Sequence, residues 1–355
     1  MKKVTLSILF TIVALSVFFA SCSDKAAIVE NKAVKELKFN EDKSFKIIQF
    51  TDIHYIPGND SSKVALALLR EAIDAEKPDL VVITGDLIWR EPAMECLDSV
   101  LAPIVERNVP WTYVLGNHDS ERDMTRDSIM MYAMEKPNCY AQIGPDHLNG
   151  IGNYIIELKG SETDSVRSVL YFFDSGDYAT LKNQYTSDKE IGGYGWLSFD
   201  QIAWYRNNSK EYYIKNDSTL VPSLAFFHIP LREYTVMAKS GNIVGTRNEN
   251  ECPALLNSGM FTAMRESGDI MGTFVGHDHD NDYIGVYQDI ALAYGRYSGG
   301  KTVYNNLGLN GCRVIELTEG DRSFTSYIRL LGGEKLHEVK YPDSFKVEEN
   351  KAEEE

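Results

Sequence analysis

The sequence is poor in cysteine, and its five cysteines include no C-x-x-C pair. A structural zinc site built from paired cysteines is therefore not expected. Cys22 closely follows the apolar run at the N-terminus. For most of Cys96, Cys139, Cys252 and Cys312, a free buried thiol is the simplest interpretation. With 355 residues, 43% of them hydrophobic, the chain is long enough to bury a core without disulfides or structural zinc.

Basic residues are also scarce, with 36 Lys and Arg against 52 Asp and Glu and a net charge of −16. Proteins that bind along a nucleic-acid backbone need clustered Lys and Arg, so no nucleic-acid partner is predicted. Part of the negative charge lies in the last eight residues, EENKAEEE, which lack any apolar spacing. We interpret residues 336–355 as an acidic, solvated tail.

The first twenty residues hold a long apolar run. Lys2 and Lys3 precede it, and it ends in Phe19-Ala20-Ser21-Cys22. This pattern resembles a bacterial lipoprotein signal, with residues 1–21 as signal peptide and Cys22 as the lipidated residue. The prediction is a protein of the cell envelope, anchored through lipid on the periplasmic or outer surface of a membrane. The alternatives are a secretory signal cleaved near Ala20 or Ser21, which gives a secreted protein, and an uncleaved anchor.

The rest of the chain has no internal repeat and no low-complexity linker, which predicts one domain over residues 45–335. Residues 22–44 are polar and are interpreted as a tether that can end in a short first strand. In the first half, apolar strands alternate with helices predicted at 62–76 and 96–107, which is typical of parallel β-α-β units. In the second half, NYIIEL and SVLYFFD predict an antiparallel pair. The fold class is therefore α/β, with two packed mixed β-sheets flanked by helices in a four-layer α-β-β-α sandwich.

Residue types that bind metals follow five of the apolar runs. The runs are FKIIQFT, LVVIT, WTYVL, LAFF and GTFV, and each is short enough to be a buried strand. Ligands of open α/β sheets lie beyond the carboxyl ends of the strands. We therefore expect these side chains to gather along one edge of a sheet. They are Asp52, His54, Asp86, Asn117, His118, His228, His277 and His279.

Carboxylate, amide and imidazole groups suit hard and borderline divalent cations. Two such cations about 3.5–4 Å apart can activate one water and stabilise the oxygens of an in-line phosphoryl displacement. A centre of this kind needs about seven ligands, and the set above supplies that number without His118. The sequence therefore predicts a two-metal hydrolytic site.

The motifs D-x-H, G-D, G-N-H-D, a single His and G-H-x-H occur here in that order between residues 52 and 279. In this respect the chain resembles the calcineurin-like metallophosphoesterase superfamily. The stretches HIPLREY, GHDHDND and YGRYSGG further resemble the branch with the fungal Dcr2-type phosphatases and a plant group named among the purple acid phosphatases. Five short motifs in order are far more specific than any one of them.

The resemblance implies a role for each residue. Asp52, His54 and His279 bind the first metal, and Asp86 bridges both metals. Asn117, His228 and His277 bind the second. A hydroxide that bridges the metals attacks phosphorus directly. His118 is implied to be catalytic rather than a ligand, and it stabilises or protonates the leaving-group oxygen.

Two positions depart from the family pattern. Many relatives carry G-D-x-x-D, whose second Asp orients the catalytic His, whereas this chain has Trp89 there. The sequence therefore does not identify the residue that orients His118, and Asp119 is one candidate. Purple acid phosphatases have a tyrosine ligand where this chain has His54, so no tyrosinate-iron colour is implied.

The predicted function is hydrolysis of phosphate mono- or diesters with two divalent or trivalent metal ions, of which Mn, Fe and Zn all fit the ligands. No Ser or Cys nucleophile motif competes with this mechanism. Arg232, Tyr234 and Arg296 are further candidates for substrate contact, because a guanidinium suits an anionic phosphoester. The alternatives are a protein phosphatase and a non-catalytic, metal-containing surface lipoprotein that binds a phosphorylated ligand.

Overall fold

The structure is a computed structural model that describes residues 36–183, 185 and 189–346. The predicted signal peptide, Cys22 and most of the predicted tether lie outside the described residues, as do residues 347–355 of the predicted tail. Within the described part of the chain, no helix combines the length and the apolar character needed to cross a membrane.

Fourteen strands form two sheets. In chain order they are β1 (Leu37–Lys38), β2 (Ser44–Phe50), β3 (Leu80–Thr84), β4 (Trp111–Val114), β5 (Tyr154–Lys159), β6 (Val166–Phe172), β7 (Ser223–Phe226), β8 (Ile243–Val244), β9 (Ile270–Val275), β10 (Ile284–Tyr287), β11 (Ile290–Tyr294), β12 (Gly311–Thr318), β13 (Phe324–Leu330) and β14 (Lys335–Tyr341).

Both sheets are mixed. The first sheet has eight strands in the order β1-β5-β6-β7-β9-β11-β10-β8, and the second has six in the order β14-β13-β12-β2-β3-β4. The central strands run parallel, β6-β7-β9-β11 in the first sheet and β2-β3-β4 in the second. The predicted antiparallel pair is confirmed as β5 and β6. Each sheet therefore presents several strand carboxyl ends at one edge.

Six α-helices accompany the sheets. They are α1 (Asp60–Glu76), α2 (Ala93–Glu106), α3 (Arg126–Met134), α4 (Phe199–Lys215), α5 (Arg232–Lys239) and α6 (Met260–Ser267), and a short 3-10 helix covers Asp343–Phe345.

The helix ends follow from the local sequence. The side chain of Asn59 accepts the Ser61 N–H at 2.8 Å and caps the start of α1. The helix ends at Glu76, two residues before Pro78, which cannot continue it. Ser198 and Gln201 form a capping box that starts α4. The helices predicted at 62–76 and 96–107 are confirmed as α1 and α2, which begin two and three residues earlier than predicted.

Alternating side chains show how the layers are stacked. Along β6, Leu170 and Phe172 join the core between the two sheets, whereas Val169 and Tyr171 pack with residues of α4, α5 and α6 on the other face. Buried residues of α1 and α2, such as Leu69 and Leu97, pack in the same core as the strands of the second sheet. The predicted four-layer α-β-β-α arrangement is confirmed.

An aromatic ladder fills the middle of the sandwich. The rings of Tyr154 and Phe172 stack at 4.7 Å between centroids, and Phe226 lies 5.3 Å from Phe172 and 5.3 Å from Phe274. These residues come from four neighbouring strands of the first sheet. Stacked aromatic pairs stabilise a fold beyond the contribution of apolar burial alone. The ladder therefore stabilises the strands whose carboxyl ends lead to the site.

The structure extends the domain at both ends, and the short first strand that the sequence allowed at the end of the tether is confirmed as β1. Before residue 45, β1 pairs in parallel with β5, and Phe39 packs edge-on against Phe45 at 5.9 Å, so the end of the predicted tether is part of the fold. The prediction that an acidic tail begins at residue 336 is wrong for β14. There Val339 and Tyr341 are buried, and Tyr341 stacks on Phe324 at 5.1 Å. The period-two pattern of β14 is obscured in the sequence by the charged residues between these positions.

Candidate metal centre

The predicted ligands come together, but along the edges of two sheets instead of one. Asp52, Asp86 and Asn117 follow β2, β3 and β4 of the six-stranded sheet, whereas His228 and His277 follow β7 and β9 of the eight-stranded sheet. The expectation of a single sheet edge is therefore corrected. The apolar runs identify strands, but they do not say which sheet a strand joins.

The loops that carry these residues have an unusual backbone. Asp52, His54, Asp86 and His277 all have positive φ angles, of 52°, 45°, 53° and 81°. Residues other than glycine adopt this region at a cost in free energy, and such residues concentrate at functional sites. Because His277 is in this conformation, the G-H-D-H segment is a loop, and its two histidines reach different groups of residues.

Asp52, His54 and His279 form the first group, and their ligand atoms lie within 4.8 Å of one another. The Nε2 atoms of His54 and His279 are 3.0 Å apart, and Asp52 Oδ1 lies 3.7 Å from His279 Nε2. His279 directs its Nδ1 to the Tyr304 carbonyl oxygen at 3.1 Å, which leaves Nε2 with its lone pair. Two ring nitrogens this close need a shared proton or a cation between them.

Asp86, His228 and His277 form the second group. His228 Nε2 lies 3.1 Å from Asp86 Oδ2 and 3.2 Å from the side-chain oxygen of Asn117. The Nδ1 atom of His228 contacts the Thr84 carbonyl oxygen at 2.7 Å, which fixes the ring. Two oxygens and one nitrogen thus point to one place, from Asp86, Asn117 and His228. Such a set of atoms can bind a divalent cation.

Asp86 links the two groups. Its Oδ1 atom accepts the His118 backbone N–H at 2.8 Å, which orients the carboxylate. Its Oδ2 atom lies 3.1 Å from His228 Nε2 and 3.8 Å from His54 Nε2. One carboxylate oxygen therefore faces histidines of both groups, which is the position that a bridging ligand needs.

The charges of the site are unbalanced without cations. Asp52 and Asp86 are each 1% exposed, and no Lys or Arg lies within ion-pair distance of either among the described residues. Burial raises the pKa of Asp52 to about 7. Burial acts to raise the pKa of Asp86, but the neighbouring imidazoles, with His228 the foremost, together hold that pKa well below its usual range. Asp52 thus has no Lys or Arg partner and Asp86 has only imidazoles, and a bound metal ion would stabilise both charged carboxylates.

Burial has the opposite effect on the pKa values of the histidines in the two groups. Burial lowers the pKa of His54 and His277 well below the ordinary value, and that of His279 to about 4. These rings are therefore neutral near pH 7 and can bind a metal. Burial also acts to lower the pKa of His228, but the Asp86 and Asp52 carboxylates and the Thr84 carbonyl oxygen together raise it to about 9. A proton or a metal ion is thus favoured between His228 and Asp86.

Glycines allow the loops to approach closely. A Cβ atom at Gly116 would collide with the Asp86 carboxylate, and one at Gly85 would lie 2.6 Å from His228 Nδ1. Neither neighbour can retreat, because each is part of the second group. The glycines in G-D and G-N-H-D are therefore steric requirements of the metal centre.

Asp119 holds the loops after β3 and β4 together. Its Oδ2 atom accepts the backbone N–H groups of Asp86 at 3.0 Å and Gly116 at 2.7 Å. Its Oδ1 atom accepts those of Leu87 at 2.8 Å and Ile88 at 3.0 Å. Both oxygens are occupied by backbone donors, so the suggestion that Asp119 orients the His118 ring is corrected.

We expect Asp119→Ala to lower the free energy of unfolding by about 3 kcal/mol or more, because four buried N–H groups lose their acceptor. Asp119→Asn keeps one acceptor oxygen, so its loss is expected to be smaller. Denaturant unfolding measures both, with Asp146→Ala on the exposed surface as the matched control. Equal stability of Asp119→Ala and the control would contradict this account.

His118 lies beside both groups but belongs to neither. Its ring meets the His54 ring edge-on, with 5.6 Å between centroids. Trp89, in the place of the expected carboxylate, packs edge-on against His118 at 4.9 Å and against His54 at 5.0 Å. The indole thus contributes a wall to the site and no charge.

Of the three residues predicted to contact substrate, two are buried and one is accessible to solvent. Tyr234 is fully buried in α5, and its hydroxyl contacts the Thr273 side chain at 2.8 Å. Arg296 is buried, pairs with Asp282 at 2.6 Å and donates to the carbonyl oxygens of Leu307 and Leu309. The prediction that Tyr234 and Arg296 contact substrate is wrong, because their polar atoms are committed inside the protein. Arg232 is partly exposed and donates to the Leu255 carbonyl oxygen at 2.8 Å, so its substrate role stays a prediction.

Sequence reasoning missed two residues beside His118. Glu121 Oε1 lies 2.9 Å from His118 Nδ1, and the Tyr178 hydroxyl donates to the same oxygen at 2.7 Å. Glu121 follows His118 by three residues, a spacing that could have suggested it. Tyr178 lies in the long connection between β6 and α4, and no local signal in the sequence points to it.

A family model described as calcineurin-like phosphoesterase matches residues 45–281. The chain belongs to this family. All seven predicted metal ligands lie within the matched region. The two groups of carboxylate and imidazole residues, together with membership of this metallophosphoesterase family, imply divalent metal ions at the site.

Curated relatives agree with the branch that the sequence motifs indicated. The chain is 32% identical over 329 residues to "Probable inactive purple acid phosphatase 14" of Arabidopsis thaliana, covering 83% of this chain and 80% of the relative. "Probable inactive purple acid phosphatase 29" of the same plant is 32% identical, with 81% and 80% covered. Phosphatase DCR2 of Saccharomyces cerevisiae is 30% identical, with 85% of this chain and 56% of the relative covered.

Solved structures of metallophosphoesterases share the fold. A dimetal phosphatase from Danio rerio aligns with a TM-score of 0.56 at 15% identity, covering 83% of this chain and 98% of the other. The purple acid phosphatase PPD1 from yellow lupin (Lupinus luteus) seeds aligns with a TM-score of 0.54 at 12% identity, covering 86% of this chain and 56% of the other. At these identities the structural similarity supports the α/β sandwich fold but does not indicate a substrate.

Proposed function

We propose that this metallophosphoesterase is an active two-metal enzyme that hydrolyses phosphate mono- or diesters. The observation that carries the proposal is the pair of buried groups joined by Asp86, whose Oδ2 atom faces His228 and His54. In the proposal, Asp52, His54 and His279 hold one metal ion, Asn117, His228 and His277 hold the other, and Asp86 is shared. Mn, Fe and Zn all suit these ligands.

When bound, the two metal ions would activate the attacking water and neutralise the charge that develops on the phosphoryl oxygens. The protein's own residues perform the remaining tasks. Asp52 and Asp86 are fixed by backbone N–H groups, since Asp52 accepts that of His277 at 3.1 Å and Asp86 accepts that of His118. The ligand geometry is therefore set before any substrate arrives.

His118 is proposed to act on the leaving group. As water oxygen bonds to phosphorus, the ester P–O bond breaks and its electron pair moves to the departing oxygen. Protonated His118 donates its proton to that oxygen, so the product leaves as a neutral alcohol. The side chain is partly exposed beside the two groups, where a substrate can reach it.

A specific observation also favours a second candidate, a metal-containing protein that binds a phosphorylated ligand without hydrolysing it. Trp89 replaces the carboxylate expected near His118, and three plant relatives carry the word "inactive" in their names. The complete set of seven ligand residues fits both candidates, whereas His118, which lies beside both groups without belonging to either, favours the enzyme. The two functions differ in turnover and not in metal content.

Treatment with a chelator is expected to abolish hydrolysis of an aryl phosphomonoester or diester by the full-length chain, and re-addition of Mn, Fe or Zn to restore it. A panel of mono- and diesters, assayed with metal analysis, identifies the substrate class. Turnover that survives complete metal removal would contradict the enzyme proposal. Metal content near two per chain with no turnover on any ester would instead favour the binding protein.

We further propose that the enzyme works in the cell envelope, anchored by lipid on Cys22, with secretion as the alternative. The support is the N-terminal pattern of Lys2, Lys3 and an apolar run that ends at Cys22. The partners are then a phosphoester substrate and the membrane. A nucleic-acid scaffold is not proposed, because the net charge is −16.

A further inference from the structure

We propose that Glu121, supported by Tyr178, positions the His118 ring and so replaces the carboxylate that this chain lacks at residue 89. The inference rests on the proposed function, in which His118 donates a proton to the leaving group. Glu121 is a positioning residue in this account, since it acts through His118 and touches no reacting atom.

The first support is the contact itself. Glu121 Oε1 lies 2.9 Å from His118 Nδ1, and both side chains are about one quarter exposed. This close contact is not a formed hydrogen bond, and Nδ1 has no hydrogen-bond partner among the described residues. Catalytic contacts are commonly loose before substrate binds and tighten in the complex. With Nδ1 turned to Glu121, Nε2 is the ring nitrogen left to face the substrate.

The second support is that Glu121 is itself held in place. The Tyr178 hydroxyl donates to Glu121 Oε1 at 2.7 Å, and Arg122 lies 3.5 Å from Oε2. Arg122 in turn donates from Nε to the Trp89 carbonyl oxygen at 3.0 Å. A carboxylate with partners on both oxygens has little freedom, so it can define the direction of the imidazole.

The third support is a link from this group to the metal ligands. The side-chain amide of Asn117 donates to the Tyr178 hydroxyl at 3.4 Å. Asn117 precedes His118 in the chain, so the contacts close a ring through Asn117, Tyr178, Glu121 and His118. Movement of the second metal group would therefore move the partner of His118 with it.

Other residues do not supply the missing carboxylate. Both carboxylate oxygens of Asp119 already accept hydrogen bonds, from four backbone N–H groups in all. Trp89 touches the edge of the His118 ring and offers no acceptor toward it. Among the described residues, Glu121 is the carboxylate within ion-pair distance of His118.

The test uses Glu121→Ala in the full-length protein, with Glu135→Ala on the exposed end of α3 as the matched control. Glu121→Ala is expected to lower kcat/KM for an alkyl phosphoester by about 10–100-fold, because a poor leaving group needs the proton from His118. For an aryl phosphoester, a good leaving group, we expect a loss of less than about 3-fold. Glu121→Gln, which keeps a neutral acceptor, is expected to fall between wild type and Glu121→Ala.

A double substitution separates positioning from structural support. If Glu121 acts only through His118, His118→Ala/Glu121→Ala has the same kcat/KM as His118→Ala alone. An additional loss in the double variant, or equal losses on alkyl and aryl esters in Glu121→Ala, would overturn the proposal.

Nitrogen-15 NMR of histidine-labelled protein gives a readout that needs no turnover. We expect the neutral form of the His118 ring, assigned by its absence in His118→Ala, to carry its proton on Nδ1 in wild type and to lose that preference in Glu121→Ala; the form that donates to the leaving group is protonated on Nε2 as well. An unchanged His118 signal overturns the positioning role whatever the activity. A changed signal in a protein that hydrolyses no ester leaves the positioning intact and rejects only the proposed function.

Discussion

Asp86→Ala is expected to abolish phosphoester hydrolysis, with a fall in kcat of at least about 10³-fold. The reason is the place of Asp86 Oδ2, which lies 3.1 Å from His228 Nε2 and 3.8 Å from His54 Nε2 and so serves both groups. Removing it leaves each group one ligand short. Steady-state kinetics and metal analysis of the purified protein check the result.

Asp86→Asn tests the same point with less disturbance, because the amide oxygen can still accept the His118 N–H. It is expected to retain the fold and to lose most activity, since the charge that balances two cations is gone. Asp98→Asn, an exposed carboxylate on α2, is the matched control and should behave as wild type. Normal turnover in Asp86→Ala would reject the two-metal account.

His118→Ala should have the second largest effect, a loss of about 10²–10⁴-fold in kcat/KM on an alkyl phosphoester. The loss on an aryl phosphoester should be much smaller, because an aryl oxide leaves without a proton. Metal content is expected to remain at the wild-type level, because His118 lies outside both metal groups. Kinetics on both esters, together with metal analysis, measure the three quantities.

His147→Ala supplies the control for that substitution, since it removes an exposed imidazole from a loop. It should leave both activities unchanged. Loss of metal from His118→Ala would mean that His118 is a ligand, and the assigned roles would then be wrong. Undiminished activity on the alkyl ester would show that another group protonates the leaving oxygen.

The sequence revealed the metal centre better than it revealed the surroundings. Five of the predicted ligands follow a buried apolar strand within two or three residues, so a local sequence pattern is enough to predict them. They are Asp52, Asp86, Asn117, His228 and His277. Which sheet each strand joins depends on pairing between distant segments. For that reason the sequence predicted one sheet edge where the structure has two.

Short elements escaped prediction for a related reason. The helices α3, α5 and α6 have only eight or nine residues, and a run of that length does not distinguish helical from extended spacing. Tyr234 illustrates the consequence. In sequence it lies six residues after His228 and resembles a substrate contact, but α5 turns it into the core against Tyr294.

The residues around His118 were the hardest to foresee. Trp89 marked a missing carboxylate but not its replacement. Glu121 lies only three residues after His118, whereas Tyr178 reaches Glu121 because the connection between β6 and α4 returns to the strand ends. Arg296 shows the opposite error, since a buried pair with Asp282 cannot be told from a substrate contact by residue type alone.

Anomalous X-ray diffraction from crystals grown with Mn, Fe or Zn tests the central claim most directly. We predict two metal peaks per chain, one beside Asp52, His54 and His279 and one beside Asn117, His228 and His277, with Asp86 contacting both. Peaks at only one of these places, or at neither, in protein that hydrolyses phosphoesters would contradict the two-metal centre.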